Sequence, residues 1–200
     1  MAAKRIVLWN VRISFPNIWE MGGSYNRADC DFLLSPEEDA EQIATLKAAA
    51  VAVIKEQWAG KLKDMSKLKA YFLHSGDEKE DTAGYAGQVF VSAHADKQLP
   101  KVVNRLGAEI TEADGIIYSG CRVNAYLDIT AIDNKFGKFC SAYLMGVQFF
   151  ADDESLGGGA PMSIDEFEIY ADDEDPLVDD SGDETAESAE KKVDPLDDLF

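Results

Sequence analysis

Two long segments of alternating residues, joined by a short polar link, constrain the fold more than any other feature. They are GCRVNAYLDITAID at 120–133 and FGKFCSAYLMGVQFF at 136–150. Alternation with a period of two is typical of β-strands that bury one face. The link Asp133-Asn134-Lys135 is short enough for the two strands to pair directly. The sequence therefore predicts a long β-hairpin.

Three further segments have the composition of strands, and one has the spacing of a helix. The strand segments are KRIVLWNVRISF at 4–15, YNRADCDFLLS at 25–35 and GQVFVSAHA at 87–95. Residues 35–60 carry apolar side chains at helical spacing, and Ser35 stands where an N-cap would begin the helix. Five strands with one internal helix predict a mainly β protein. An OB-fold, which is a five-stranded partly open barrel, fits this count, as do other small barrels.

Charge is distributed very unevenly along the chain. The formal net charge is −19 over 200 residues. Residues 1–151 hold 17 Lys and Arg against 19 Asp and Glu, a net of −2, whereas residues 152–200 hold 2 against 19, a net of −17. Few apolar residues and a high net charge are typical of disorder. We therefore expect a domain at 1–156, followed at 157–200 by a Gly-rich linker and a disordered acidic tail.

Several classes of function find no support in the sequence. Three cysteines without CxxC spacing predict small buried groups in a reducing compartment. The histidines, His74 and His94, lack metal-site spacing, and no nucleophile motif is present. We expect neither a cofactor nor a metal, and no enzymatic activity. Since no secretory signal or long apolar run is found, we also expect an intracellular protein without a membrane partner.

The outward face of the hairpin carries chemistry that suits a nucleic acid. Arg122 and Tyr126 share this face on the first strand, and Phe139 and Tyr143 share it on the second. Aromatic rings stack on bases and cations neutralise phosphates, so this face predicts sequence-tolerant binding of single strands. Outward aromatics can equally be covered by a helix, a loop or a second subunit, and a homodimer is left open.

Three segments carry a family resemblance. NVRISFPNIWE at 10–20, IYSGCRVNAYLDITAIDN at 117–134 and GVQFFADDESLGGG at 146–159 resemble the bacteriophage OB-fold single-stranded DNA-binding protein family. The order of the segments matches as well, over roughly residues 5–160. The resemblance implies an OB-fold that binds single-stranded DNA without sequence preference. It also implies a role in phage DNA replication or recombination, in the cytoplasm of the bacterial host cell.

The resemblance does not fix which residues touch DNA, so the predicted contacts depend on the strand faces. The predicted contacts are Arg12, Phe90, Arg122, Tyr126, Lys135, Lys138, Phe139 and Tyr143. Trp9 shares a strand face with Val7, Val11 and Ile13, so we expect it in the core.

The chain ends in DPLDDLF, at 194–200, and this ending is similar to the acidic, phenylalanine-ended tails of bacterial and phage single-strand binders. Phe200, with Leu199 beside it, would enter an apolar pocket of a partner protein. Asp197, Asp198 and the terminal carboxylate would meet Lys or Arg at the rim of that pocket. The resemblance implies that the partners are phage or host replication and recombination proteins.

Two other functions stay open at this point. The acidic segment could make the chain a DNA mimic that occupies a host nucleic-acid-binding protein. Asp29 and Asp31 lie two residues apart on one predicted strand face, where two carboxylates could hold a metal for a nuclease.

Overall fold

A computed structural model describes residues 3–59 and 67–157 of the chain. These residues form eight strands, one α-helix and two short 3₁₀ helices. The strands are β1 (Ala3–Gly22), β2 (Arg27–Leu34), β3 (Ala70–Tyr71), β4 (Leu73–Ser75), β5 (Val89–Ala95), β6 (Lys101–Val103), β7 (Arg122–Asn134) and β8 (Gly137–Ala151). The helix is α1 (Ala40–Trp58), and the 3₁₀ helices are Gly76–Lys79 and Glu112–Asp114. The predicted acidic tail and its tip at 197–200 lie outside the described residues.

Five of the strands close into a barrel. β1 pairs with β2 and with β7, β2 pairs with β5, β7 pairs with β8, and β5 pairs in parallel with β8. The closing contact is short, with Ala93 opposite Ala142 and His94 opposite Tyr143. This closed order of five strands is that of an OB-fold, so the predicted fold class is confirmed. The short strands β3, β4 and β6 were not predicted and add to the edges of β8 and β5.

The predicted hairpin is confirmed. Asn134 pairs with Gly137, which leaves Lys135 and Phe136 as a two-residue turn. The main-chain N–H of Phe136 donates to Oδ1 of Asn134 at 2.8 Å, and this bond supports the turn. Because β7 and β8 span 13 and 15 residues, the hairpin extends far beyond the closing contact.

The first strand is longer than predicted, because it continues through Pro16 to Gly22. Proline lacks the N–H that a paired strand needs, so a strand contains it only at an edge or a bulge. Here the register with β2 shifts between Ser14 and Asn17, so that Phe15 and Pro16 occupy a bulge. The bulge therefore allows the chain to stay in the sheet past the proline.

A second bulge in β1 overturns the expectation that Trp9 lies in the core. The register with β7 shifts between Leu8 and Val11, and Asn10 adopts a positive φ of 55°. An inserted residue reverses the alternation beyond it, and Trp9 is 57% exposed. Gln42 of α1 holds this bulge in place, since its side chain bonds both the N–H and the carbonyl of Trp9.

The helix packs its apolar stripe against β7 and β1, as its spacing predicted. Ile43, Leu46, Ala50, Val53 and Ile54 are all buried. The helix begins at Ala40 rather than at Ser35, whose hydroxyl instead accepts the N–H of Glu38 in the preceding turn. No helix in the described part of the chain is long and apolar enough to cross a membrane.

Candidate nucleic-acid interface

An open groove lies on the outer face of the barrel at the turn end of the hairpin. It has a volume of about 470 Å³ and extends between the β1–β2 turn and the β7–β8 turn. We call it the turn-end groove. Its lining residues are Tyr25, Arg27, Ala70, Tyr71, Phe72, His74, Ser92, His94, Ile132, Asn134, Phe139, Cys140 and Ser141. Of the residues predicted to contact DNA, Phe139 lines this groove.

Each of the two turns beside the groove presents an aromatic ring with a cation over it. Tyr25 is 78% exposed, and the guanidinium of Arg27 lies 5.2 Å from its ring centre. Phe136 is 63% exposed, and the ammonium of Lys135 lies 4.9 Å from its ring centre. Exposed cation–π pairs of this kind contribute only about 0.5–1 kcal/mol. These contacts are too weak to explain why two large aromatic rings are exposed.

The floor of the groove is aromatic and uncharged near neutral pH. The rings of His94 and Tyr143 lie 4.8 Å apart, at the point where β5 meets β8. Burial, together with the nearby Arg27 guanidinium, lowers the pKa of His94 below its ordinary value. Burial raises the pKa of Tyr71 to about 12. The floor thus offers neutral ring surfaces, which suit the stacking of bases.

Basic side chains collect around this groove although the whole domain is slightly acidic. Lys69 lies against Gly137 of the hairpin turn and is exposed, as is Lys135. The carboxylate of Asp29 accepts from Arg27 at 3.2 Å and from Asn17 at 3.4 Å, so its charge is compensated locally. Two exposed lysines, Lys69 and Lys135, therefore lie at the hairpin turn beside the exposed rings, although the domain as a whole is slightly acidic.

Lys138 does not reach the groove. Its ammonium pairs with the carboxylate of Asp133 and lies 5.0 Å from the ring centre of Trp58. Trp58 donates to the same carboxylate at 2.9 Å. The bonds from Lys138 and Trp58 lower the pKa of Asp133. Lys138 therefore joins the last turn of α1 to the hairpin, and whether it also contacts DNA stays a prediction.

Phe90 faces the outside of the barrel as predicted, but a loop covers it. Its exposure is only 3%, because Tyr85 packs edge-on against it at 5.2 Å and His74 stacks on it at 4.9 Å. The side chain that reaches the groove at this position is His74. The prediction of a DNA-stacking Phe90 is corrected accordingly. Alternation along a strand predicts which side of the sheet a residue faces, but it does not predict what packs over that residue.

Arg12 and Arg122 lie at the other end of the hairpin. Arg122 is opposite Ala151, whereas Phe139 is opposite Ile132, ten residues further along β7. At about 3.3 Å per residue this separation is roughly 30 Å along the strand. The expectation that Arg122 lies beside Phe139 is therefore wrong, because a shared face does not imply a shared position along a long strand.

Both arginines hold the segment that follows β8. The guanidinium of Arg122 donates to the carboxylate of Asp153 at 2.6 Å, and that of Arg12 lies 3.7 Å from the same carboxylate. Arg12 also donates to the carbonyl oxygen of Glu154. Burial alone would raise the pKa of Asp153, but the N–H of Glu154 and the two arginines outweigh burial and lower the pKa.

Two of the motifs that carried the family resemblance meet here. The segment 152–156 is hydrogen-bonded to the YSGC motif, 118–121. The hydroxyl of Tyr118 donates to the carboxylate of Asp152 at 3.1 Å, and the N–H of Leu156 donates to the carbonyl oxygen of Ser119 at 2.9 Å. Gly120 has a φ of 113°, and a Cβ there would lie 2.3 Å from the carbonyl oxygen of Glu154. We call this arrangement, with Arg12 and Arg122, the β8 latch.

Tyr126 and Tyr143 lie between the two ends. Tyr126 is half-buried opposite Gly146, and Tyr143 is opposite Asp128 two residues further along β7. Tyr143 reaches the groove only through its contact with His94, whereas Tyr126 does not line it. Whether either ring touches DNA stays a prediction.

Sequence reasoning missed most of the groove. Arg27, Tyr71, His74 and His94 come from four separate segments, and pairing of the strands brings them together. A usable signal did exist for the turn at Lys135-Phe136. An aromatic and a cation in a two-residue turn are exposed by necessity, since a turn of that length has no interior side.

The carboxylates considered for a nuclease are already engaged. Asp31 accepts from the ammonium of Lys79 and from the hydroxyl of Tyr85, both at 2.7 Å, while Asp29 is paired as described above. Within residues 3–59 and 67–157, no group of three or more His, Cys, Asp or Glu side chains is placed to hold a metal ion. The geometry gives the nuclease hypothesis no support.

A closed five-stranded barrel with an aromatic and basic groove on its outer face defines an OB-fold of the oligonucleotide-binding type. Comparison with known proteins narrows this class. The sequence model of a family described as "Enterobacter phage Enc34, ssDNA-binding protein" matches residues 4–178. The chain belongs to this family.

Individual relatives agree with the family assignment. The "Putative protein p50" of Acyrthosiphon pisum secondary endosymbiont phage 1 is 37% identical over 176 residues, covering 82% of this chain and 92% of the relative. The single-stranded DNA-binding protein from bacteriophage Enc34, solved in complex with ssDNA, is 25% identical with a TM-score of 0.68, covering 76% of this chain and 89% of that one. A second structure of the Enc34 single-stranded DNA-binding protein gives a TM-score of 0.67 at 25% identity. The match covers 79% of this chain and 87% of that one.

Proposed function

We propose that this protein binds single-stranded DNA without sequence preference, and that the DNA lies in the turn-end groove. One observation carries the proposal: Tyr25 and Phe136 are exposed on two neighbouring turns, and each has a cation within about 5 Å of its ring. An OB-fold uses these two turns and the face between them to hold oligonucleotides. The family, and a solved relative described as a complex with ssDNA, support the same ligand.

The chemistry of the groove accounts for a sequence-tolerant ligand. Every base has an aromatic face, so rings such as Phe136 and Phe139 can stack on any base, for about 1–3 kcal/mol each. Lys135 can move from its own ring to a phosphate, because it is exposed. Arg27 is about one-third exposed and would exchange its ion pair with Asp29 for one with a phosphate. Affinity would then come from stacking and from phosphate contacts together, with little reading of base edges.

A pair of substitutions tests the groove directly. Tyr25→Ala and Phe136→Ala should each weaken binding to a labelled oligothymidine by about 1–3 kcal/mol, and should leave the melting temperature unchanged because both rings are exposed. Leu106→Ala is the matched control, since Leu106 is 93% exposed and does not line the groove. Wild-type affinity in both turn variants would place the DNA on another face.

A gel-shift assay separates this proposal from its alternatives. Retardation of single-stranded DNA, with and without Mg²⁺, is expected for a binding protein. An acidic DNA mimic would give no retardation and would instead displace DNA from a host nucleic-acid-binding protein. Cleavage that depends on Mg²⁺ would indicate a nuclease.

We further propose that the protein serves phage DNA replication or recombination in the cytoplasm of the host cell. In this proposal the tip of the chain, Asp197 to Phe200, recruits a replication or recombination protein. Deletion of Phe200 removes one ring and keeps every acidic side chain. The deletion should therefore abolish capture of partners from an extract of infected cells and leave affinity for DNA unchanged. If all partners remain, the terminal ring has no recruiting role.

The acidic residues of the tail should also affect DNA binding. Residues 162–200 hold sixteen Asp and Glu against two Lys, a net charge of −14. A tethered acidic segment competes with phosphates for cations at a high effective concentration. Removal of 162–200 should tighten binding most at low salt, since exposed charges are screened beyond about 8 Å at physiological ionic strength. Weaker binding after removal would mean that the tail contributes to the site.

A further inference from the structure

We infer that the bound strand continues from the turn-end groove over Ser92 to Phe15, whose ring stacks one further base. This inference rests on the proposed function, because it extends the path of the same single strand. It assigns a ligand contact to Phe15, which lies on β1 and not on the hairpin. Three features of the described residues support it: the conformation of Phe15, the continuous surface between Phe15 and the groove, and the pairing of the charges along that surface.

Phe15 is held outward by an unfavourable backbone conformation. Its φ is +48° and its side chain is 51% exposed. A non-glycine residue in the left-handed region costs about 1–2 kcal/mol, and Pro16 restricts the preceding residue further. Strained residues of this kind cluster at binding sites. The bulge in β1 therefore presents a large apolar ring to solvent at a net cost in stability.

The surface between the groove and Phe15 is continuous. Ser92 lines the turn-end groove and also a smaller recess of about 200 Å³. The recess is lined by Phe15, Asp29, Cys30, Asp31, Lys79 and Ser92. Ser92 and Asp31 are opposite each other on β5 and β2, so the recess lies on the outer face that the groove shares. A strand that leaves the groove over Ser92 therefore meets Phe15 next.

A row of aromatic rings supports Phe15 from beneath. Phe15 lies 6.3 Å from Tyr85, Tyr85 lies 5.2 Å from Phe90, and Phe90 lies 4.9 Å from His74, which lines the groove. Tyr85 and Phe90 are buried, and the two ends of the row are the members that reach solvent. The row thus provides two ring surfaces for bases, Phe15 and His74, separated by the buried rings of Tyr85 and Phe90.

Both carboxylates of the recess are paired, Asp31 with Lys79 and Asp29 with Arg27 from outside it, which weakens the main objection to a DNA strand there. Asp31 would repel phosphates, but its carboxylate accepts from Lys79 and from Tyr85 at 2.7 Å each. The Lys79 ammonium also lies 4.6 Å from the ring centre of Phe90 and 5.9 Å from that of Phe15. The recess therefore suits an uncharged base, with the phosphates directed outward to solvent.

Oligonucleotides of different lengths test this subsite, with the full chain as the protein. A single OB-fold covers about 4–16 nucleotides. We therefore expect a short oligothymidine of about 4 nucleotides to stop within the groove, and a long one of about 16 to extend beyond it. Phe15→Ala should weaken binding of the long oligonucleotide by about 5- to 150-fold, the loss expected for one stacked base, and should leave the short one unchanged. The slope of affinity against salt should stay the same, because no charge is removed.

Phe15→Trp provides a direct signal and a control for folding. It keeps a stacking ring in the same position, so affinity should remain close to wild type. Its added fluorescence should be quenched by the long oligonucleotide and not by the short one. An unchanged affinity for the long oligonucleotide in Phe15→Ala would overturn the subsite. Equal losses at both lengths, together with a lower melting temperature, would mean a structural role and would also overturn it.

The failure of this inference is distinguishable from the failure of the proposed function. Loss of affinity in Tyr25→Ala and Phe136→Ala with none in Phe15→Ala would leave the groove intact and remove only the extension. Absence of any DNA binding by the wild-type chain would remove both.

Discussion

The two ends of the β7–β8 hairpin use the same kinds of side chain for different purposes. In the β8 latch, the arginines donate to a carboxylate and to main-chain carbonyls of the same chain. At the turn-end groove, the ammonium of Lys135 lies over the exposed ring of Phe136, and Arg27, which also pairs with Asp29, lies over the exposed ring of Tyr25. The comparison shows that residue type does not identify a ligand site. What distinguishes the two ends is how far the cations are paired, and the rings covered, within the protein.

The largest effect is expected from a change in the latch. Gly120→Ala places a Cβ against the carbonyl of Glu154 at a φ of 113°. Strain and overpacking together should lower the free energy of unfolding by about 2–6 kcal/mol, or roughly 5–20 °C in melting temperature. Affinity for single-stranded DNA below that temperature should stay within a few fold of wild type. Gly157→Ala is the control, because no atom of the described residues would lie within 4 Å of a Cβ at that position. A large loss of affinity in folded Gly120→Ala would mean that the latch belongs to the binding site.

Arg122→Ala should affect stability more than binding. It removes a charge-assisted hydrogen bond to Asp153, and such bonds contribute about 1.5–3 kcal/mol. Because both side chains are about one-third exposed, solvent reduces the expected loss to about 1–2 kcal/mol, measured by chemical denaturation. The salt dependence of DNA binding should be unchanged. A flatter salt dependence would show that Arg122 also contacts a phosphate, as the sequence predicted.

Lys135→Ala should produce the opposite pattern. Among the described residues its ammonium contacts only the exposed ring of Phe136, so stability should change by less than about 0.5 kcal/mol. If it neutralises one phosphate, the slope of log affinity against log salt should flatten by roughly 0.7 for a single strand. Titrations at several salt concentrations measure this slope. An unchanged slope together with unchanged affinity would exclude Lys135 from the interface.

The smallest effect concerns pH at the floor of the groove. Burial and Arg27 lower the pKa of His94 in the folded protein, so the unfolded chain binds more protons as the pH falls through about 6.5. Acidification from pH 7.5 to 5.5 should therefore cost the wild type more stability than it costs His94→Gln, and parallel denaturation curves measure the difference. Equal losses in the two proteins would show that this histidine is not held in its neutral form.

Local patterns in the sequence predicted the five barrel strands and the helix, but not the short strands β3, β4 and β6. The alternation in β7 and β8, the turn between them and the apolar stripe of α1 all depend on neighbours within a few residues. The same patterns failed at Trp9 and Pro16, where bulges altered the alternation of β1. A bulge depends on the partner strand as well as on the local sequence, so a single strand read alone does not reveal it.

The sequence by itself determined a five-stranded barrel with one helix, aromatic outward faces on its last hairpin and a strong acidic bias after residue 151. Only the tertiary structure decided which outward groups are free. Arg122 and Lys138 are engaged by Asp153 and Asp133, and Phe90 is covered, whereas Phe136 is left open. The reason is physical: the pairing of donors and the burial of rings depend largely on segments far apart in the chain, up to 142 residues for Arg12 and Glu154, which meet only when the barrel closes.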